Sequence, residues 1–196
     1  MSSVVISGNT SGSITLSAPD VSGSNTITLP ASTGTVLTTG SPQSGGVIQV
    51  VQAVKSDTFT TASGSYVDVT GLSASITPKF STSTILVMVN IGCLSASSTN
   101  IRLNLVRGST SIYQGTLSGT INQASINFDI PNSYGASSVS LAYVDSPATT
   151  SSTTYKMQMA SNGSGTGYLN RTERDSSGTS GDARTPSSII LMEIAQ

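Results

Sequence analysis

The sequence predicts an all-β protein: a jelly-roll β-sandwich knob over residues 47–196, preceded by a short extended β-repeat segment over residues 1–46. Three observations carry this reading. After Val47, apolar residues recur with a period of two in run after run, the period of half-buried strands. Clusters of Gly, Pro and Ser separate these runs and supply the turns. No stretch carries an i, i+3, i+4, i+7 apolar stripe over three turns, so no amphipathic helix is predicted.

The N-terminal segment holds a ragged repeat. Ser11-Gly12-Ser13 precedes Ile14-Thr15-Leu16, and Ser22-Gly23-Ser24 precedes Thr26-Ile27-Thr28-Leu29-Pro30. A third short element, Thr35-Val36-Leu37, follows Gly34. Strands this short hold no core alone and call for neighbours from other repeats or other chains, the alternative being a flexible Ser/Thr/Gly linker. Residues 41–46, Ser-Pro-Gln-Ser-Gly-Gly, mark the boundary.

Within the knob, residues 47–54 and 66–69 read as strands. Leu72, Ala74 and Ile76 alternate with Ser73, Ser75 and Thr77 before Pro78. Residues 84–91 contain Ile85-Leu86-Val87-Met88-Val89, apolar on both faces. Ile101, Leu103 and Leu105 share a face, Ile112 and Tyr113 open a short element, and Ile126, Phe128 and Ile130 share a face before Pro131. Val139, Leu141 and Tyr143 follow the same rule, as do Tyr155, Met157 and Met159. Residues 188–195 close the chain, again apolar on both faces. Eight to ten such strands suit a sandwich.

Composition limits the chemistry. The 196 residues include no His, no Trp and one Cys, Cys93. Ser-His-Asp and Cys-His catalysis and His-containing metal sites are therefore excluded, as are an internal disulfide and a thiolate cluster. Ser and Thr fill about a third of the positions, and the formal net charge is −1 from 8 basic and 9 acidic residues. Arg171 and Arg174 are interrupted by Glu173 and followed by Asp175, so no basic patch suggests nucleic acid. No apolar run of about 18 residues is present, so no membrane insertion is predicted, and no basic-then-apolar start resembles a signal peptide. Gly163-Ser164-Gly165-Thr166-Gly167 lacks a following helix and reads as a loop, not a phosphate cradle. Asp129 and Asp145, each near a Pro, suit turns better than a calcium site, which needs several oxygen ligands in one compact loop. No cofactor and no metal are expected.

Carboxylate-pair glycoside hydrolysis needs only two acids, and Glu173, Asp175 and Asp182 lie in one polar stretch. They are interleaved with Arg171, Arg174 and Arg184, the mixture of a solvated loop laced by surface pairs. Arg102 and Arg107 flank a strand, either as fork-like donors to an interface or as groups that solubilise an exposed face. Among the tyrosines, Tyr143 and Tyr155 are in phase with the core. Tyr134 and Tyr168 fall in the polar connections 131–138 and 162–186, the best receptor-facing candidates. Tyr168 is the candidate stacking platform and Asn170 the amide donor and acceptor. Arg171 and Asp175 are groups able to bind hydroxyls or a charged substituent.

Several stretches resemble tail-fibre and related receptor-binding structural proteins of tailed bacteriophages. Residues 12–19 (GSITLSAP), 27–30 (ITLP) and 34–37 (GTVL) are similar to their short fibre repeats. Residues 65–72 (SYVDVTGL), 76–78 (ITP), 85–87 (ILV), 153–156 (TTYK) and 190–194 (ILMEI) resemble their C-terminal domains. The resemblance implies a trimeric, cofactor-free adhesin with a sandwich like that of the complement C1q and tumour necrosis factor group. It carries no shared catalytic residue. The expectation is a homotrimeric virion tail-fibre or tip protein, assembled in the host cytoplasm and joined to other tail or baseplate proteins. It would bind a host surface glycan or protein. The alternatives are a capsid decoration or baseplate component, and a polysaccharide depolymerase using the acidic loop. Trimerisation has a physical motive as well: strands apolar on both faces need a second cover, although the number three comes from the resemblance.

Overall fold

The structure, a computed structural model, describes residues 3–7, 9–17, 20, 23, 24, 26, 31, 33, 34, 37, 38, 40 and, from 42 to 196, all but 98, 130–134, 163, 164, 179 and 180. Residues 3 and 4 are described by backbone alone. The predicted elements at 27–30 and 35–36, and Ile130, lie outside the described residues. Two compact units divide the chain, residues 1–36 and 37–196.

In the first unit β1 (Ser3–Ser7) pairs antiparallel with β2 (Ser13–Ser17), placing Ile6 opposite Ile14. Val5, Ile6, Ile14 and Leu16 are all exposed. A two-stranded ribbon is marginal by itself.

The second unit is an antiparallel β-sandwich, and no helix occurs among the described residues. Its strands are β3 (Val47–Lys55), β4 (Phe59–Thr61), β5 (Val67–Ile76), β6 (Thr84–Ala96), β7 (Asn100–Arg107), β8 (Thr110–Ile112), β9 (Ile126–Asp129), β10 (Ala136–Asp145), β11 (Thr153–Ser161), β12 (Gly167–Leu169) and β13 (Ser187–Ile194). One sheet runs β3-β13-β6-β10, with β12 and β4 continuing beside the far half of β6. The other runs β5-β11-β7, with β8 and β9 sharing the outer edge of β7. The two-residue turn between β7 and β8 opens on Gly108 at φ +59°, the left-handed geometry such hairpins need.

The alternating residues read from the sequence meet between the sheets. Ile85, Val87, Val89 and Ile91 of β6, with Ile189 and Leu191 of β13, face Ile101, Leu103 and Leu105 of β7 and Tyr155, Met157 and Met159 of β11. Two predicted strands, 66–69 and 72–76, prove to be one. Gly71, at φ +83°, sits in a bulge opposite the Lys156–Gln158 step. The extra residues correct the phase, so that Val69 and Leu72, three apart, both point inward.

Two clusters of buried polar groups are tied in place. Tyr155 donates its hydroxyl to Asp145 Oδ2 at 2.6 Å, and Arg107 Nη1 donates to both oxygens of Asp145 at 2.9 and 2.8 Å. Because Asp145 ends β10 and Arg107 ends β7, this cluster joins the two sheets at one end. Burial and the Asp145 carboxylate push the Tyr155 hydroxyl far above the ordinary tyrosine range. Glu193, fully buried in β13, accepts from Lys79 N at 2.7 Å and Gln49 Nε2 at 2.5 Å, clamping the β5–β6 turn.

Two predictions follow from packing and charge. A β-carbon at Gly92 would lie 2.2 Å from Pro186 O, whereas one at Gly115 meets open space. Gly92→Ala should therefore cost more than about 2 kcal/mol by overpacking, while Gly115→Ala stays within about 0.5 kcal/mol, both read by denaturant titration. For Glu193, burial alone raises the pKa, but hydrogen bonds led by Gln49 outweigh it and hold the carboxyl below its ordinary value of 4.5. A depressed folded pKa adds stability above the unfolded value and loses it as pH falls through the folded one. Glu193→Gln should thus be less stable than the parent at pH 7, and the gap should shrink below about pH 4.5 as the parent's carboxyl protonates. A gap that stays constant with pH would contradict the assignment.

Candidate functional site

The two connections singled out in the sequence meet at one end of the sandwich. Ala136, the first residue of β10, is opposite Ser95 of β6, and Glu173 N donates to Ser95 Oγ at 2.9 Å. The loop through 170–186 and the start of β10 therefore flank the same end of β6. Tyr134 itself lies outside the described residues.

The long connection is more ordered than its composition suggests. Sequence reading placed residues 162–186 in one polar loop, but β12 forms inside it, pairing with β4 on one side and β6 on the other. Tyr168 is the middle residue of β12 and is half-buried. The Arg171 guanidinium stacks over its ring at 4.7 Å, so the expected stacking platform already carries a cation.

Asn170 departs furthest from expectation. It is fully buried at φ +64°, a left-handed position that Asn tolerates. Its Nδ2 donates to Lys55 O at 2.8 Å and Asp57 O at 2.9 Å, and its Oδ1 accepts from Ser187 Oγ at 2.5 Å. Its backbone N–H donates to Cys93 O. The amide ties β3, β6, β12 and β13 together and is spent inside the protein.

Arg171 and Asp175 are also committed. Arg171 donates from Nε to Thr172 O at 2.9 Å and from Nη2 to Glu173 O at 2.6 Å, and pairs with Asp175 at 3.6 Å. Asp175 takes a bidentate contact from Arg184, at 2.9 and 2.6 Å. Asp182 takes another from Arg174, both at 2.9 Å, together with Ser176 N and Thr172 Oγ1. Arg184 beside Asp175, and Arg174 beside Asp182, hold each carboxyl below the ordinary range. Both acids stay ionised near neutrality, while Glu173, the third acid of the stretch, has its buried Oε2 without a hydrogen-bond partner among the described residues. What the arrangement offers is a rigid lattice of ion pairs beside hydroxyl groups, suited to holding a polar ligand.

Asp145, considered as a turn residue or calcium ligand, has its oxygens occupied by Arg107 and Tyr155. No group of three or more Cys, Asp or Glu suited to a metal occurs among the described residues.

A second feature lies on the outward face of the β3-β13-β6-β10 sheet. The register aligns Val50, Met192, Leu86 and Val144 in one row, and Gln52, Ile190, Met88 and Ala142 in the next. A third row is Val54, Ser188, Asn90 and Ser140. None of these twelve positions is charged. Val50, Val144 and Met88 are 56%, 54% and 40% exposed. The outward face of the other sheet is polar, with Lys156 and Gln158 donating to Asp68, and Asn104 donating to Gln158 and Ser111.

No protein-family model matches the sequence, and no curated protein matches it.

Since Arg171 holds two loop carbonyls and caps the Tyr168 ring, Arg171→Ala should cost about 1–2 kcal/mol. That amounts to a lowering of the thermal midpoint by about 3–6 °C. Calorimetry showing an unchanged midpoint would return Arg171 to the role of a free surface donor.

Proposed function

We propose that the protein is a virion structural protein, a homotrimeric tail-fibre or tip adhesin whose knob reads a host surface glycan or protein. One observation supports this most directly: the uncharged, largely apolar outward face of one sheet, which a single chain leaves in water. Isolated exposed apolar residues are ordinary, but rows crossing four strands mark an association surface. Closed symmetry buries such a face without leaving a growing edge, and the threefold number rests on the resemblance to fibre proteins. The knob is read as a jelly roll. The order β3-β13-β6-β10 against β5-β11-β7-β9, with most connections crossing between sheets, supports that topology.

Chain direction supports an outward end. Gly45 N donates to Ala195 O and Ala195 N to Gly46 O, so the chain enters and leaves the knob together. That end lies beside Thr84, which opens β6 opposite Ile194. The loops at 136–138 and 170–186 sit beside the other end of β6, about 30 Å away at 3.3 Å per residue. With residues 1–46 serving attachment, these loops face away from the particle. Identical weak sites on one trimer then combine into firm attachment.

Sedimentation equilibrium should give three times the chain mass for the parent at micromolar concentration. Met88→Glu combined with Val144→Glu should give a folded species of lower mass that adsorbs poorly to host cells. A stable parent monomer would end the trimer reading. A trimer found on capsids by labelled antibody, without affinity for cells, would favour the capsid-decoration alternative.

A further inference from the structure

Between the start of β10 and the 170–186 loop lies a cleft of about 200 Å³, lined by Ser137, Ser138, Thr172, Ala183 and Thr185 over Gly92 and Cys93. No charged side chain lines it among the described residues. Two of its hydroxyls are held by neighbours: Ser138 Oγ donates to Gly92 O at 2.6 Å, and Thr172 Oγ1 donates to Asp182 Oδ1 at 3.0 Å. Thr185 differs. Its Oγ1 is buried and has no hydrogen-bond partner among the described residues. A buried hydroxyl without a partner is costly, and Val would fill the same volume without that cost.

Across Ala183 the cleft adjoins a second depression of about 220 Å³, lined by Asp175, Ser176, Ser177, Asp182 and Arg184. There the Arg184–Asp175 and Arg174–Asp182 pairs present fixed, mutually compensated donors and acceptors. Each depression is smaller than a pocket for a drug-sized ligand and suits a single ring. Hydroxyls and compensated ion pairs match the alternating donors and acceptors of sugar hydroxyl groups.

We propose that the two depressions are adjoining subsites for a neutral saccharide chain. One sugar residue lies in the hydroxyl-lined cleft, where it satisfies Thr185 Oγ1. The next lies over the ion pairs, with Ala183 beneath the linkage. The proposal rests on the adhesin reading for its biological role, but the binding it describes is measurable apart from that role. It also shifts recognition from Asn170 and Arg171, which are spent on the fold, to Thr185, Ala183 and their neighbours.

The full-length protein is titrated with a galactose trimer and, in parallel, with a galacturonate trimer, each followed by saturation-transfer NMR. The neutral trimer should bind saturably and at least as tightly as the charged one, since Arg184 and Arg174 are already paired with Asp175 and Asp182 and leave no net charge for a carboxylate. Ala183→Phe fills both depressions and should weaken neutral binding by about tenfold or more, the worth of one or two hydrogen bonds. Thr185→Val should weaken it severalfold while leaving the thermal midpoint unchanged or raised, an outcome that a merely structural hydroxyl does not give. Absence of saturable binding, tighter binding of the charged trimer, or unchanged binding by Ala183→Phe would each overturn the proposal. Host-cell adsorption by the same variants separates the two readings. Sugar binding without adsorption by the parent removes the adhesin role and leaves the subsites standing. Adsorption retained by Ala183→Phe after its sugar binding is lost places the receptor contact elsewhere and overturns the role given to the cleft.

Discussion

A sheet has two faces, and one chain supplies this sandwich with only one partner sheet. That constraint shapes most of the knob. β6 and β13 carry apolar side chains on both faces: Ile85, Val87 and Val89 alternate with Leu86 and Met88, and Ile189 and Leu191 with Ile190 and Met192. The inward set is buried completely against β7 and β11. The outward set stays partly in water, while the opposite sheet turns Asp68, Lys156, Gln158 and Asn104 outward. The two outer surfaces therefore differ in what they tolerate as neighbours. On the polar one Asp68, Lys156, Gln158 and Asn104 answer one another, whereas the apolar one leaves side chains such as Val50, Met88 and Val144 in contact with water.

The polar groups inside the sandwich follow from the same closure. Where two sheets end, strand termini bring unsatisfied backbone and charged side chains near the core, and each needs a partner. At the entry end Asp145 is answered by Arg107 and Tyr155, one partner from each of two strands of the facing sheet. At the far end Asn170 answers carbonyls of Lys55 and Asp57 and the hydroxyl of Ser187. Each cluster joins elements distant in sequence, so each fixes how the layers are stacked and not merely how one strand runs. Gly92 has a similar part without polarity, since only a residue lacking a β-carbon lets residues 185 and 186 lie so close to β6.

Much of this was legible in the sequence because period two is a direct consequence of the pleat. The strands carrying Ile101-Leu103-Leu105, Val139-Leu141-Tyr143 and Tyr155-Met157-Met159 stand where alternation placed them. What escaped were features set by contact at long range. β4 and β12 have three residues each, too few to display a period, and exist because they pair with each other and with β6. Asn170 looked like a surface amide because Asn favours loops, yet the same tolerance of positive φ fits it for a buried corner. Residues 41–46 read only as a boundary, but Gly45 and Gly46 bond to Ala195, far away in sequence. No local pattern announces such a tie.

The division between rigid frame and readable surface then has a physical basis. A side chain whose donors are all spent on carbonyls, as in Asn170, has nothing left to offer a ligand, however suitable its chemistry looks in isolation. Ion pairs such as Arg184–Asp175 differ, because a bidentate contact leaves each group with further donor or acceptor capacity while fixing its direction. A hydroxyl such as that of Thr185, left without a partner beside a cleft, differs again. It costs the folded chain free energy and returns that energy only when something else is bound. Ser83 Oγ, Arg102 Nε and Glu173 Oε2 are likewise buried without a partner among the described residues, and of these four residues Thr185 is the one that lines the cleft beside β10.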